Sequence, residues 1–258
     1  MIRLVTLNTW KCDGDYINRL KVFVKELRKT PTHILLLQEV FQSEDNRYDT
    51  SRYIAGEFDY YFTSSRSRPK KRAINNVFID SYSSVSVISK YPIVNKYVFS
   101  LPSNPEDGGR EAIAAEILIN SKKILVVSLH LSHLRNGDEL RKQQLNHIIN
   151  QPFMENEYDG IFIGGDFNTI LNEEYLAVLP QSKFQIEDTH ASAIEINGPE
   201  FTFSHGEKSR KIDHILQLCL KGKKMMEISD SKIVFYEADP ETKLKVSDHN
   251  GVLIHINI

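Results

Sequence analysis

Residues able to do acid–base or metal chemistry stand repeatedly at the ends of strand-like runs in this sequence. Asn8 closes one run, Gln38 and Glu39 close the next, and His130 lies near the end of a third. Asp166 and Asn168 follow GIFIGG, Asp213 and His214 sit within KIDHIL, and Asp248 and His249 immediately precede the last run. A buried strand can aim such side chains only at a partner or a cleft, because an unpaired polar group there costs up to several kcal/mol. Carboxylates and amides with no Cys–His ligand cluster suit a hard, oxygen-preferring cation. Magnesium is the expected ion, held by one or two carboxylates plus waters and substrate phosphate oxygens, and the same ligands tolerate manganese. Such an ion polarises a phosphoryl oxygen. Amides such as Asn8 and Asn168 orient a phosphate or a water without titrating. A His beside a carboxylate serves as general acid, general base or cationic stabiliser near neutral pH. The two Asp/His combinations therefore point to phosphoester hydrolysis.

The elements that must position these residues are legible as short apolar runs. The clearest are 2–7, 33–38, 85–89, 112–119, 123–131, 160–165, 211–218, 232–236 and 252–258. Several are β-branched and bounded by Gly, Pro, Asn or Asp, as strands are. Two segments read as amphipathic helices. In 17–28, Ile17, Leu20, Phe23 and Leu27 form a stripe with Arg19, Lys25 and Arg28 off it, and Thr30-Pro31 ends the run. In 138–150, Leu140, Gln144, Leu145, Ile148 and Ile149 form a weaker stripe, with Asp138 and Glu139 in the first turn. A third helix is expected after Asn172. Residues 42–84 read as loop-rich, and 100–110 as a loop. Strand and helix alternate early and again in 123–165, while strands follow strands elsewhere, which favours a mixed-sheet α/β sandwich. The expectation is one domain over 1–258.

Composition narrows the alternatives. With 32 Lys+Arg against 34 Asp+Glu, the formal charge is −2, which argues against a protein that coats nucleic acid by bulk charge. A chain this long buries roughly 70–75% of its unfolded surface and needs no staple. Its two cysteines, Cys12 and Cys219, cannot build a disulfide framework or a four-ligand zinc site and are expected as free thiols. No run is long enough for a signal-peptide core or a membrane span. A cytoplasmic monomer is expected.

Read together, LNTW (7–10), LLLQEV (35–40), SKYPI (89–93), GREAIAAEI (109–117), SLHLSH (128–133), GGDFN (164–168), KIDHIL (211–216) and SDHNGV (247–252) make the chain similar to the endonuclease/exonuclease/phosphatase (DNase I-like) superfamily. The segments occur in that family's order over nearly the whole chain. The resemblance implies a four-layer α/β sandwich of two packed mixed β-sheets, with the site at one edge. It implies Glu39 as principal metal ligand, with Asn8 and Asp248 near the ion. It implies Asp166 as the group that orients or deprotonates the attacking water, and Asn168 on a non-bridging phosphate oxygen. Asp213 would hold His249 in its cationic form, His130 would be the second active-site histidine, and Arg110 would lie near the substrate phosphate.

Other residues read as structural. Trp10 is expected to pack beside the site, and His214, next to Asp213 on a strand, to face the other way in a packing role. His133 is a weaker candidate for reaching substrate. His33, His147, His190, His205 and His255 are expected at or near the surface. The run Ser64 to Arg72 is the densest in basic residues and could track a polyanion or be a solvated loop. The preceding FDYYF is expected as a packing strand. The expected function is a phosphodiesterase or nuclease, with a sphingomyelinase-like lipid diesterase or a sugar or inositol phosphate phosphatase as alternatives, and a non-catalytic binding module as the remote one.

Overall fold

A computed structural model describes residues 1–177, 179 and 183–258. Among these residues the strands gather into two large mixed sheets. The eight-stranded sheet runs Glu195–Asn197, Ile228–Val234, Gly251–Ile256, Ile2–Asn8, Ile34–Ser43, Val77–Ser89 and Tyr61–Ser64, with Lys70–Ile74 also paired to Val77–Ser89. The six-stranded sheet runs Phe184–Asp188, Asp213–Leu220, Gly160–Asp166, Lys122–His130, Glu111–Ile119 and Ile93–Ser100. A separate ribbon pairs Phe203–His205 with Lys208–Arg210.

Each large sheet is centred on a parallel pair, Ile2–Asn8 beside Ile34–Ser43 and Lys122–His130 beside Gly160–Asp166, and the edge strand Glu195–Asn197 also runs parallel to Ile228–Val234. A parallel pair needs a crossover, and the two amphipathic segments supply it as the helices Tyr16–Lys29 and Asp138–Ile149. Asp15 caps the first by accepting from the Asn18 N–H. The inward faces of the sheets meet in one core that includes Leu4, Leu36, Val126, Phe162, Ile215 and Ile254. Val5, Leu7 and Leu35 face the other way, against Phe23 and Ile54 of the helices Tyr16–Lys29 and Thr50–Phe58. Leu125, Val127 and Ile161 likewise pack on Leu145 and Ile148 of the opposite helix. Helices, sheet, sheet and helix therefore form the four layers, and both faces of each central strand are buried, which is why those strands read as continuous apolar runs.

Three expectations need correction. The first helix buries Leu20, Phe23 and Leu27, but Ile17 is 36% exposed and Arg19 only 4% exposed, so the stripe is rotated. Arg19 turns inward because backbone carbonyls there satisfy its guanidinium. The 42–84 region is not loop-rich: it contains the helix Thr50–Phe58 and the strands Tyr61–Ser64, Lys70–Ile74 and Val77–Ser89. Its polarity misleads because Ser81, Ser83, Ser84, Ser86 and Ser89 are buried within a paired strand. FDYYF is split, since Asp59 takes a left-handed conformation (φ 55°) that ends the helix before the strand starts at Tyr61. The helix after Asn172 is present as Glu173–Ala177, capped by the Asn172 side chain accepting from the Tyr175 N–H. Among the described residues, no helix is long and apolar enough to cross a membrane.

Candidate active site

The C-terminal ends of the two parallel pairs lie at one edge of the sandwich. The antiparallel neighbours Asp213–Leu220 and Gly251–Ile256 begin where those strands end, so residues from opposite ends of the sequence meet there. Register makes this explicit: Asp166 pairs with His130 on one side and with Asp213 on the other.

On the first strand Leu4 and Thr6 face the opposing sheet, and alternation carries Asn8 to the same side. Its Nδ2 donates to Asp166 Oδ2 across the inter-sheet gap at 3.0 Å, and its Oδ1 accepts from the Trp10 N–H. Gln38 is fully buried between the sheets and donates to Ser128 Oγ at 3.2 Å. The ladder between Ile34–Ser43 and Val77–Ser89 then shifts register between Leu37 and Val40, and Glu39 sits in that bulge at φ 51°. The bulge takes Glu39 out of the strand's alternation, and its carboxylate pairs with Lys11 at 2.7 Å. Trp10 (φ 56°) and Lys11 (φ 44°) are also left-handed, a concentration of strained non-glycine backbone at one site.

Two glycines before Asp166 make the approach possible. A Cβ on Gly164 would lie 2.7 Å from Leu36 Cδ1 of the other sheet, and one on Gly165 would lie 2.0 Å from the Leu129 carbonyl oxygen. Asp166 Oδ1 accepts from the Asn168 N–H, a turn that Asn168 completes in the left-handed region. Asn168 Nδ2 donates to the Leu131 carbonyl. His130 Nε2 stands 3.5 Å, and His249 Nε2 3.9 Å, from Asp166 Oδ2. His249 Nδ1 donates to Asp213 Oδ2 at 2.9 Å, and Phe203 covers the His249 ring with centroids 4.7 Å apart.

These environments push the titrating groups apart. Burial, then the neighbouring Asp213 charge, raises Asp166 to about 7. Burial and then Arg110 hold His130 well below its ordinary value, so its ring is neutral. Burial also opposes charge on His249, but the Asp213 carboxylate outweighs it and the ring rises to about 10. One neutral and one cationic imidazole thus flank a buried carboxylate, the separation that divides acid and base roles.

The predicted residues are therefore brought together, with differences in what each touches. Arg110 is buried: its guanidinium donates to Asp107 and to the His130 carbonyl, and meets His133 Nδ1 at 2.7 Å. Asp248 is exposed beside Ser247, whose hydroxyl donates to the Asn8 carbonyl at 2.7 Å. Although the residue keeps an exposed side, partial desolvation of its carboxyl, opposed by His249 and reinforced by repulsion from Glu39, raises the Asp248 pKa. Glu39, Asp248 and the Asn8 amide offer oxygen donors of the kind a hard divalent ion takes, and the Lys11 ammonium holds the Glu39 carboxylate oxygen that such an ion would use. Among the described residues, Asp166, Asp213 and His249 also bring ligand atoms within 4.8 Å of one another, although the Asp213–His249 hydrogen bond occupies that space.

Sequence reasoning missed two holding devices. Arg19 donates to the carbonyls of Thr9, Trp10, Lys11, Asp13 and Val246, the last at 2.7 Å, tying the loop after Asn8 to the segment before His249. No local signal marks it, since its acceptors come from both ends of the chain. His214 does face away from Asp213 and packs edge-on against Phe167, with ring centroids 5.4 Å apart, but its ring nitrogens enter a polar cluster. Its Nε2 donates to the Thr169 carbonyl at 3.1 Å, while Nδ1 meets Asp188 and Lys211. Cys12 and Cys219 are free, as expected.

Comparison with known proteins agrees with this architecture. A search of curated protein sequences finds no match. An endonuclease/exonuclease/phosphatase family protein from Leptotrichia buccalis superposes with TM-score 0.76 at 17% identity, covering 100% of both chains. A mannosyl-6-phosphatase from Bacteroides thetaiotaomicron gives 0.73 at 16%, with 100% of both chains covered. A humanised TDP2 from D. rerio gives 0.72 at 14%, covering 100% of this chain and 99% of that one. The model of the Endonuclease/Exonuclease/phosphatase family matches residues 5–249. With that match over most of its length, the chain belongs to the Endonuclease/Exonuclease/phosphatase family.

Proposed function

We propose that this protein is a Mg²⁺-dependent phosphodiesterase that cleaves a P–O bond with an activated water, acting on nucleic acid. The family supports a phosphoester hydrolase in general. The observation that carries the reading is Asp166, a buried carboxyl bonded to Asn8 of the other sheet and flanked by the His130 and His249 rings at 3.5 and 3.9 Å. In this reading Asp166 orients the attacking water and accepts its proton. Asn168 holds a non-bridging oxygen. Asp213 keeps His249 cationic beside the charge that develops on phosphorus-bound oxygens. Arg110 fixes His130 through its carbonyl and lends positive charge to the centre. Glu39, Asp248 and Asn8 would hold the ion, which when bound would polarise the phosphoryl group and offset negative charge. The diester preference is supported by cationic clefts beside the centre, including one walled by Lys11, Arg68, Lys70 and Arg72.

The test is a panel of single- and double-stranded DNA, RNA, sphingomyelin, sugar and inositol phosphates and bis-p-nitrophenyl phosphate, with Mg²⁺, Mn²⁺ or EDTA. Metal-dependent diester hydrolysis is expected. Asp166→Asn and His249→Ala each lower turnover by on the order of a hundredfold or more. Turnover of sugar or inositol monoesters alone would move the protein to the phosphatases, and wild-type rates in both variants would overturn the site.

A further inference from the structure

Arginines that leave the surface of this protein find acceptors. Arg19 and Arg141 donate to backbone carbonyls, Arg72 to Ser81 Oγ and Arg3 to the Pro31 carbonyl. Arg110 is the most committed. Its Nε donates to Asp107, one terminal nitrogen donates to the His130 carbonyl, the other meets His133, and the side chain is 2% exposed. Arg68 is the exception. It is half-buried, yet among the described residues its guanidinium has no hydrogen-bond, ion-pair or ring partner. Burial, then repulsion from Arg110, lowers its pKa, and Glu39 relieves this only from a distance. A cation drawn out of water without a partner costs free energy.

The backbone at this residue is forced as well. Arg68 takes φ 54°, in the left-handed region and directly before Pro69, where a non-glycine residue is strained. Its neighbours hold it there. The Ser67 carbonyl accepts from the Ser83 N–H, the Ser67 hydroxyl donates to the Ser83 carbonyl, and Lys70 pairs with Ser81 of the same strand. Strain and clamped flanks thus fix a guanidinium that has nothing to bind. Arg68 walls a cleft of about 510 Å³ that opens at Lys11, and also a narrow pocket that ends on His130 and Arg110. It is the one described residue common to both. The acids on those walls, Asp13 and Glu111, make no ion pair with it. Past His130 stands Asp166, 3.5 Å from the ring.

We propose that Arg68, and not Arg110, is the residue that grips the reacting phosphoryl group. Its free fork donates to non-bridging oxygens and gains its missing partner only when substrate is bound. Charge on those oxygens grows towards the transition state, so the contact strengthens during reaction, and no bond to Arg68 forms or breaks. Arg110, with its nitrogens engaged, is a positioning residue that holds His130. This rests on the phosphodiesterase reading above and adds the side chain that binds the phosphate.

The experiment uses Arg68→Met, which keeps the stem and removes the charge, and Arg68→Ala, which leaves room for a guanidinium ion. With Mg²⁺ present, inorganic phosphate should raise the unfolding temperature of wild type, as a ligand of the folded state does, and raise that of Arg68→Met much less. Without phosphate, Arg68→Met should unfold at the same or a higher urea concentration than wild type, because it removes an unpaired cation. Its kcat/KM on bis-p-nitrophenyl phosphate should fall by on the order of a hundredfold, mainly in kcat. Millimolar guanidinium should restore part of the activity of Arg68→Ala and none of that of Arg110→Ala. An equal phosphate shift in wild type and Arg68→Met, no shift in wild type, or a less stable Arg68→Met with wild-type kinetics overturns the assignment. Rescue of Arg110→Ala alone returns the role to Arg110. Failure of the underlying reading looks different: wild type then turns over no diester, and the phosphate shift still decides whether Arg68 is the anion's partner.

Discussion

Replacing Asp213 by Asn removes the charge that holds His249 in its cationic form while keeping an oxygen able to accept from Nδ1. His249 is displaced from an ordinary 6.5 to about 10, and its side chain is 8% exposed, so solvent screens the pair little. At 1.36 kcal/mol per pKa unit, that displacement corresponds to roughly 5 kcal/mol. Breaking a buried pair by removing one partner costs about 3–5 kcal/mol, so with the hydrogen bond retained the expected loss is about 3 kcal/mol. The sign follows from linkage. A raised histidine pKa contributes stability that is fully present below pH 6.5 and is lost as pH rises through about 10. The wild-type advantage must therefore shrink from about pH 6 to about pH 10.5. The assay is urea unfolding of EDTA-treated protein across that range, read from the single tryptophan, Trp10. Parallel profiles, or an advantage that grows with pH, refute the reasoning.

Other consequences are direct. Gly165→Ala would place a methyl 2.0 Å from the Leu129 carbonyl oxygen in a paired strand, and should destabilise by about 3 kcal/mol or more, seen as a lower urea midpoint at unchanged slope. Arg19→Lys keeps the charge but loses the planar fork that spans five carbonyls; about 2 kcal/mol of stability should go, with a fall in kcat that the site's own residues do not explain. A variant with wild-type kcat would show that the 9–13 loop is held without Arg19. His214→Phe should keep the fold within about 2 kcal/mol yet lower kcat/KM several-fold by releasing Thr169 beside Asn168; an unchanged kcat/KM counts against a positioning role.

Much of the site was legible because strand ends in a layered fold are also its rim. Asn8, His130, Asp166 and Asp213 each end or begin a strand and meet at one edge; Glu39 was read as a strand end, but its strand runs on to Ser43 and a bulge turns it out. The central strands were legible for the same reason, being buried on both faces. Where polar residues are buried the pattern fails. The serine-rich Val77–Ser89 strand satisfies its backbone through its ladder and part of its hydroxyls through bonds such as Ser86 Oγ to the Thr63 carbonyl, while Ser84 Oγ is buried without a partner, and no periodicity reports either. Arg19 fails the amphipathic rule because five carbonyls, one of them at residue 246, replace water around its guanidinium.

Residue types and their order along the chain are enough to set the chemical inventory and the layered architecture. Type decides which groups titrate or accept, and the alternation of buried runs with two amphipathic crossovers leaves few ways to cover both faces of two sheets. The charge state of each group, and the partners it holds, follow only from folding in three dimensions. His130 and His249 are the same residue type beside the same carboxylate, yet burial near Arg110 leaves one neutral and a buried Asp213 makes the other a cation. That difference arises from desolvation and from charges brought close by pairing of distant strands, and neither is encoded in any local stretch of the chain.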